Sequence, residues 1–147
     1  LMIIDKELIE LLTLTAKEAG KEIMDIFNSD FEIRSKPDNT PVTLADEEAE
    51  ALIRATLLKH YPTIPFVGEE SYKGENDQTS KWDTFWLVDA LDGTKEFVAN
   101  RKDFTVNIAL IHKKKPVAGV VYAPAQNLLY TGYATEAYMQ KNEKHLD

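Results

Sequence analysis

Residues 86–97, WLVDALDGTKEF, end an apolar run on two acids and follow them at once with Gly and Thr. Thr84 to Val88 is rich in β-forming, largely apolar residues and predicts a buried strand, so Asp89 and Asp92 stand where that strand runs out. A carboxylate withdrawn from water is costly unless it is paired, hydrogen-bonded or bound to a metal. One bland reading is available: Asp-Gly is a common turn pair, and Asp92-Gly93 serving only a turn would need no ligand.

Working outward, a second acidic step stands upstream. Pro65-Phe66-Val67 is a brief apolar run that leads into Gly68-Glu69-Glu70-Ser71. If the two runs are strands of one sheet, their C-terminal ends bring Glu69 or Glu70 toward the Asp pair, although alone the two Glu residues also suit a solvated loop edge. Three converging carboxylates repel one another until cations neutralise them, and hard oxygen donors select Mg²⁺, Mn²⁺ or Ca²⁺. Gly93-Thr94-Lys95-Glu96-Phe97 then reads as the opening of a short helix whose unpaired N–H groups face an anion. The Thr94 hydroxyl suits orientation of a water, or a plain N-cap. Thr43-Leu44-Ala45-Asp46 has the spacing of a capping box, and Asp46 reaching Thr94 to polarise its hydroxyl is the competing role.

The remaining chain supplies a frame for these acids. From Asp5 to Phe27 apolar residues keep a helical period, with Asp5 as N-cap. A short strand is expected at 31–36, turn residues at 37–41, and a second helix from Thr43 to about Tyr61, stopped by Tyr61-Pro62. Residues 72–80, YKGENDQTS, read as a surface loop. Phe104–Ile111, Val117–Tyr122 and Leu128–Tyr133, joined at HKKKP and PAQN, predict an antiparallel meander. The fold class expected is α/β, layered α+β: two amphipathic helices packed on a mostly antiparallel sheet. Phe85, Trp86 and Phe104 belong to its core.

Composition narrows the partners. Across 147 residues, 25 acidic against 17 basic side chains give a net charge of −8, which argues against a nucleic-acid polymer or an anionic membrane as partner. Without cysteine, thiolate catalysis, disulfides and Cys-based zinc sites are excluded. The three His, at 60, 112 and 145, lack metal-helix spacing and read as surface residues. Lys113-Lys114-Lys115 reads as a solvated hairpin tip. Neither a signal peptide nor a stable membrane insertion is expected, and the cytoplasm is the expected location.

Taken together, DNTPVTLAD (38–46), GEES (68–71), WLVDALDGTKEF (86–97) and FTVNIALI (104–111) resemble the inositol monophosphatase superfamily of Mg²⁺-dependent, Li⁺-sensitive phosphatases. Within it, Lys95-Glu96-Phe97 after Asp-Gly-Thr, together with GVVYAPAQNLLY (119–130), is most similar to the 3'(2'),5'-bisphosphate nucleotidases of the CysQ type. The resemblance implies that Glu69, Asp89, Asp92 and the main-chain carbonyl of Leu91 bind Mg²⁺, or Mn²⁺ in its place, with Glu70 nearby. It implies that Asp92-Gly93-Thr94 holds a phosphate and that Thr94 and Asp46 align the nucleophilic water. The implied substrate is a small phosphorylated nucleotide or sugar, adenosine 3',5'-bisphosphate first, with an inositol monophosphatase-type sugar phosphatase as the alternative.

Two departures from the family pattern stand out. Ala90 occupies a position where the family usually has Pro, which loosens the turn presenting the Leu91 carbonyl. Family members also continue through a second half that brings another metal-binding Asp, usually in a Trp-Asp motif, and the only Trp-Asp here, Trp82-Asp83, lies upstream of the motif strand. Residues 1–147 are therefore expected to be the N-terminal metal- and phosphate-binding domain of the sugar-phosphatase fold, without its C-terminal domain. Such a chain either lacks activity by itself, as a metal- or phosphate-binding remnant, or self-associates through an exposed sheet edge or core face.

Overall fold

Asp5 opens the first helix by accepting a hydrogen bond from the Leu8 backbone N–H at 3.1 Å. The computed structural model describes residues 4–29, 41–68, 79–133, 136–141 and 144–146. Helix α1 (Lys6–Phe27) buries one stripe, with Leu12, Ala16, Ala19 and Ile23 fully covered. These positions recur at helical spacing, and each large apolar side chain so covered contributes about 1.5–3 kcal/mol.

Helix α2 (Pro41–His60) begins two residues before the expected Thr43. Proline suits a first turn, where its missing N–H costs nothing. The earlier start overturns the capping-box reading, because Thr43 and Asp46 both lie inside the helix. Ala45, Ala49, Ile53 and Leu57 form its fully buried stripe. Just beyond α2, burial raises the phenol pKa of Tyr61, and the carboxylates of Asp5 and Glu7 add to the effect. The end of α2 therefore lies beside the start of α1, and the two helices pack antiparallel.

Among the described residues seven strands follow in one sheet: β1 (Phe66–Gly68), β2 (Thr84–Asp92), β3 (Thr105–His112), β4 (Lys115–Ala123), β5 (Leu128–Tyr133), β6 (Glu136–Lys141) and β7 (Lys144–Leu146). Their order in the sheet is their order in the chain. Among the described residues only β1 and β2 run parallel, and every other pairing is antiparallel. The meander expected from sequence is present, but it continues through β6 and β7. Lys113 and Lys114 both have positive φ, 49° and 66°, the pattern of a type I′ hairpin turn. The expected strand at 31–36 and the residues 37–40 and 72–78 lie outside the described residues.

Both long helices cover one sheet face. Register places Trp86 and Val88 of β2 with Leu110 and Ile108 of β3, then Ala118 and Val120 of β4, and all six are buried. Helix α1 packs against β3, β4 and β5, while α2 packs against β1 and β2. The opposite face is more open: Val121 is 40% and Tyr130 45% exposed. There Asn107, Ala109, Gly119, Val121, Tyr130 and Gly132 line a trough of about 530 Å³.

Candidate active site

Strand β2 does not stop before its acids; it runs through both to Asp92. In a regular strand residues three apart point to opposite faces. The pairing with β3 changes that. Asp89 stands opposite Asn107 and Asp92 opposite Thr105, so three steps on β2 match two on β3 and the strand carries a bulge between its acids. Asn107 and Thr105 share a face, and the bulge therefore brings Asp89 and Asp92 onto that same open face.

An Asp-x-Asp spacing would have placed two acids on one face without any bulge. What the extra residue adds is backbone: neither Ala90 nor Leu91 has a register partner on β3, and a bulged residue is released from the ladder. The Leu91 side chain is buried at 1% exposure, which leaves its main chain as the part able to serve the site. Ala90 is buried too, inside the bulge rather than in a free turn.

The two acids differ in surroundings. Asp92 is exposed, and its Oδ2 accepts a hydrogen bond from Asn107 Nδ2 at 3.2 Å. Asn107 Oδ1 in turn accepts from the Thr105 hydroxyl at 3.0 Å. Asp89 is half-buried and makes interactions of its own, and among the described residues its Oδ1 accepts no hydrogen bond.

Gly93 follows with φ 91° and ψ 46°, a left-handed conformation suited to glycine, and it caps helix α3 (Thr94–Val98). The N-cap is thus Gly93, which overturns the plain N-cap reading of Thr94; Thr94 is the first helical residue and is exposed. Five residues make no stable helix alone. Phe97 anchors this one: fully buried, its ring lies 5.5 Å from that of Phe27 and 5.3 Å from that of Phe104, which are themselves 4.9 Å apart. This aromatic triangle ties α3 to the end of α1 and the entrance of β3.

Asp46 is half-buried on α2, which contacts α3. Four residues on, the Glu50 carboxylate lies against Gly68 at the end of β1, where a methyl group would overlap Glu50 Oε1. Parallel pairing aligns the C-terminal ends of β1 and β2, with Gly68 opposite Val88. Glu69 and Glu70 lie outside the described residues. Among the described residues no three His, Asp or Glu side chains gather as a metal cluster. His60 is exposed, and His112 shares a 2.7 Å hydrogen bond with the Thr84 hydroxyl away from the acids.

Sequence reasoning missed Asn107, Thr105 and Glu50. The signal for the first two was there, as two polar residues alternating with Val106 and Ile108 inside an otherwise apolar strand. For Glu50 it was the four-residue step from Asp46, which puts both on one helical face.

The inositol monophosphatase family model matches residues 5–146. The chain belongs to the inositol monophosphatase family. Among curated members of this family, 3'(2'),5'-bisphosphate nucleotidase CysQ of Escherichia coli (strain K12) is 41% identical over 128 residues, covering 86% of this chain and 52% of that protein. CysQ of Salmonella typhimurium is 41% identical over 138 residues, covering 92% and 55%. Among solved structures of the family, CysQ from Bacteroides thetaiotaomicron superposes with a TM-score of 0.79 at 38% identity, over 93% of this chain and 50% of that one. SaIMPase-II with 2'AMP bound gives 0.70 at 30% identity, over 90% and 46%. The chain spans about half the length of the relatives it matches.

Proposed function

We propose that this chain is the N-terminal metal- and phosphate-binding domain of a phosphomonoesterase. Its reaction is Mg²⁺-dependent, Li⁺-sensitive hydrolysis of a 3'(2'),5'-bisphosphate nucleotide in the cytoplasm, adenosine 3',5'-bisphosphate giving AMP and phosphate. The observation that carries this reading is the bulge in β2, which sets Asp89 and Asp92 on one face and leaves Leu91 between them without a register partner, directly before Gly93-Thr94. That is a hard-oxygen donor set and fits Mg²⁺ or Mn²⁺. The identity to CysQ proteins supports the nucleotide over a sugar phosphate.

In this reading Asp89, Asp92, the Leu91 carbonyl and Glu69 hold the cation, with Glu70 beside them. Mg²⁺ when bound lowers the pKa of water and neutralises phosphoryl charge. Asp92-Gly93-Thr94 seats the phosphate through backbone N–H groups, a role for which the left-handed Gly93 turns the chain sharply enough. Thr94 and Asp46 align the attacking water: the Thr94 hydroxyl orients it and donates a hydrogen bond to the Asp46 carboxylate on α2, which polarises the hydroxyl. Self-association through the open sheet face completes the proposal.

The test is phosphate release from adenosine 3',5'-bisphosphate with Mg²⁺, with and without Li⁺, alongside Mg²⁺ titration by calorimetry. Inositol phosphate serves as the competing substrate, and Asp89→Asn and Asp92→Asn as variants. Expected are Mg²⁺ binding by the parent chain, its loss in both variants, and Li⁺-sensitive release only where Mg²⁺ binds. Binding unchanged in both variants overturns the cation assignment, and faster release from inositol phosphate overturns the nucleotide.

A further inference from the structure

Asn107 occupies a particular position between the two acids of β2. It stands opposite Asp89 in the register and donates Nδ2–H to Asp92 Oδ2. Its neighbour on the same face, Thr105, stands opposite Asp92 and donates its hydroxyl to Asn107 Oδ1. Four polar side chains thus form a patch on a face that otherwise continues with Ala109, Gly119 and Val121.

The amide can face only one way. Flipping it would set an amide oxygen against a carboxylate oxygen, two acceptors without a proton between them. The Thr105 hydroxyl bonds the amide from the other side and restrains its rotation. A carboxylate that accepts a hydrogen bond through Oδ2 is restrained about its last torsion, and its Oδ1 is then directed to a definite place.

Residue type follows from the chemistry of the task. A Lys at 107 would neutralise Asp92 and compete with a cation, while an Asp there would place three negative charges together. An amide supplies the hydrogen bond and leaves the charge intact. Outer partners of this kind orient metal ligands and tune the centre.

Building on the cation reading above, we propose that Asn107, oriented by Thr105, is a positioning residue that restrains Asp92 and thereby sets the affinity for a divalent cation. The bond is exposed, so its net contribution to folding is small. Its effect belongs in cation affinity rather than in stability.

The experiment is calorimetric titration of the 147-residue chain with MgCl₂, with circular dichroism as the check on folding, for the parent, Asn107→Ala, Thr105→Val and Thr105→Ser. Expected for Asn107→Ala is a loss of Mg²⁺ affinity of about 10–100-fold at an unchanged melting temperature. Thr105→Val loses less, and Thr105→Ser, which keeps the hydroxyl, binds like the parent. A parent chain that fails to bind Mg²⁺ overturns the cation reading and this inference with it. A parent that binds, with Asn107→Ala within about twofold of it, overturns this inference alone. Should Asn107→Ala fail to fold, Thr105→Val decides, and parent-like affinity there overturns the proposal.

Discussion

Gly93 concentrates several demands in one residue. Its φ of 91° lies where an L side chain is strained, and a Cβ placed on it would stand 3.1 Å from Phe104 Cα, a backbone atom that cannot swing aside. The predicted cost of Gly93→Ala is about 1–2 kcal/mol from the left-handed conformation alone, plus a further penalty from the contact. Urea denaturation of the variant measures it; stability equal to the parent would show that the turn relaxes. At this scale the sequence was partly legible. Asp89, Asp92, Gly93 and Thr94 stood out because they break an apolar run abruptly. That the two acids share a face was not legible, since their spacing alone puts them on opposite faces and only pairing with β3 reveals the bulge. Asn107 was passed over because a polar residue alternating with apolar ones marks the outer face of a strand without saying which side chain it meets there.

Among the elements, α1 contains an instructive glycine. Gly20 sits inside a long helix, where Ala is normally better by about 0.5–1 kcal/mol. Here a Cβ would lie 2.6 Å from Tyr122 Cε2 and 3.1 Å from Pro124 Cβ, at the point where α1 rests on β4. Overpacking of this kind costs about 1–3 kcal/mol, so Gly20→Ala is predicted to lower stability despite its gain in propensity. A thermal melt that rises with Gly20→Ala would overturn the packing account. The helices themselves were legible because a buried stripe repeats at 3.6 residues. The start of α2 was misplaced because Thr43-Leu44-Ala45-Asp46 imitates a cap inside a helix that Pro41 had already begun. Strands β6 and β7 escaped notice because EAYMQK and KHL carry too many polar residues for a clear alternation.

For the whole molecule, the contrast between its two sheet faces sets the expectation. Helices seal one; the other presents a trough floored by Ala109, Gly119 and Gly132 and bordered by exposed Val121 and Tyr130. Apolar surface of this kind favours being covered, and multi-angle light scattering is predicted to give a mass that rises with concentration. A mass equal to one chain at every concentration would overturn self-association, and Tyr130→Lys is expected to shift the mass toward a single chain. No helix among the described residues is long and apolar enough to cross a membrane.

The order of strands in the sheet has a consequence for how the molecule is made. Each strand from β3 onward pairs with the one synthesised just before it, so during translation no strand waits for a distant partner. Local pairing of this sort is kinetically favourable. The helices are in the opposite situation. Helix α1 can meet α2 soon after it is made, yet the strands it covers, β3, β4 and β5, come later, and the sheet-facing part of its apolar stripe stays uncovered until they emerge. The interval between those two moments is when a nascent chain of this design is most open to capture by a chaperone.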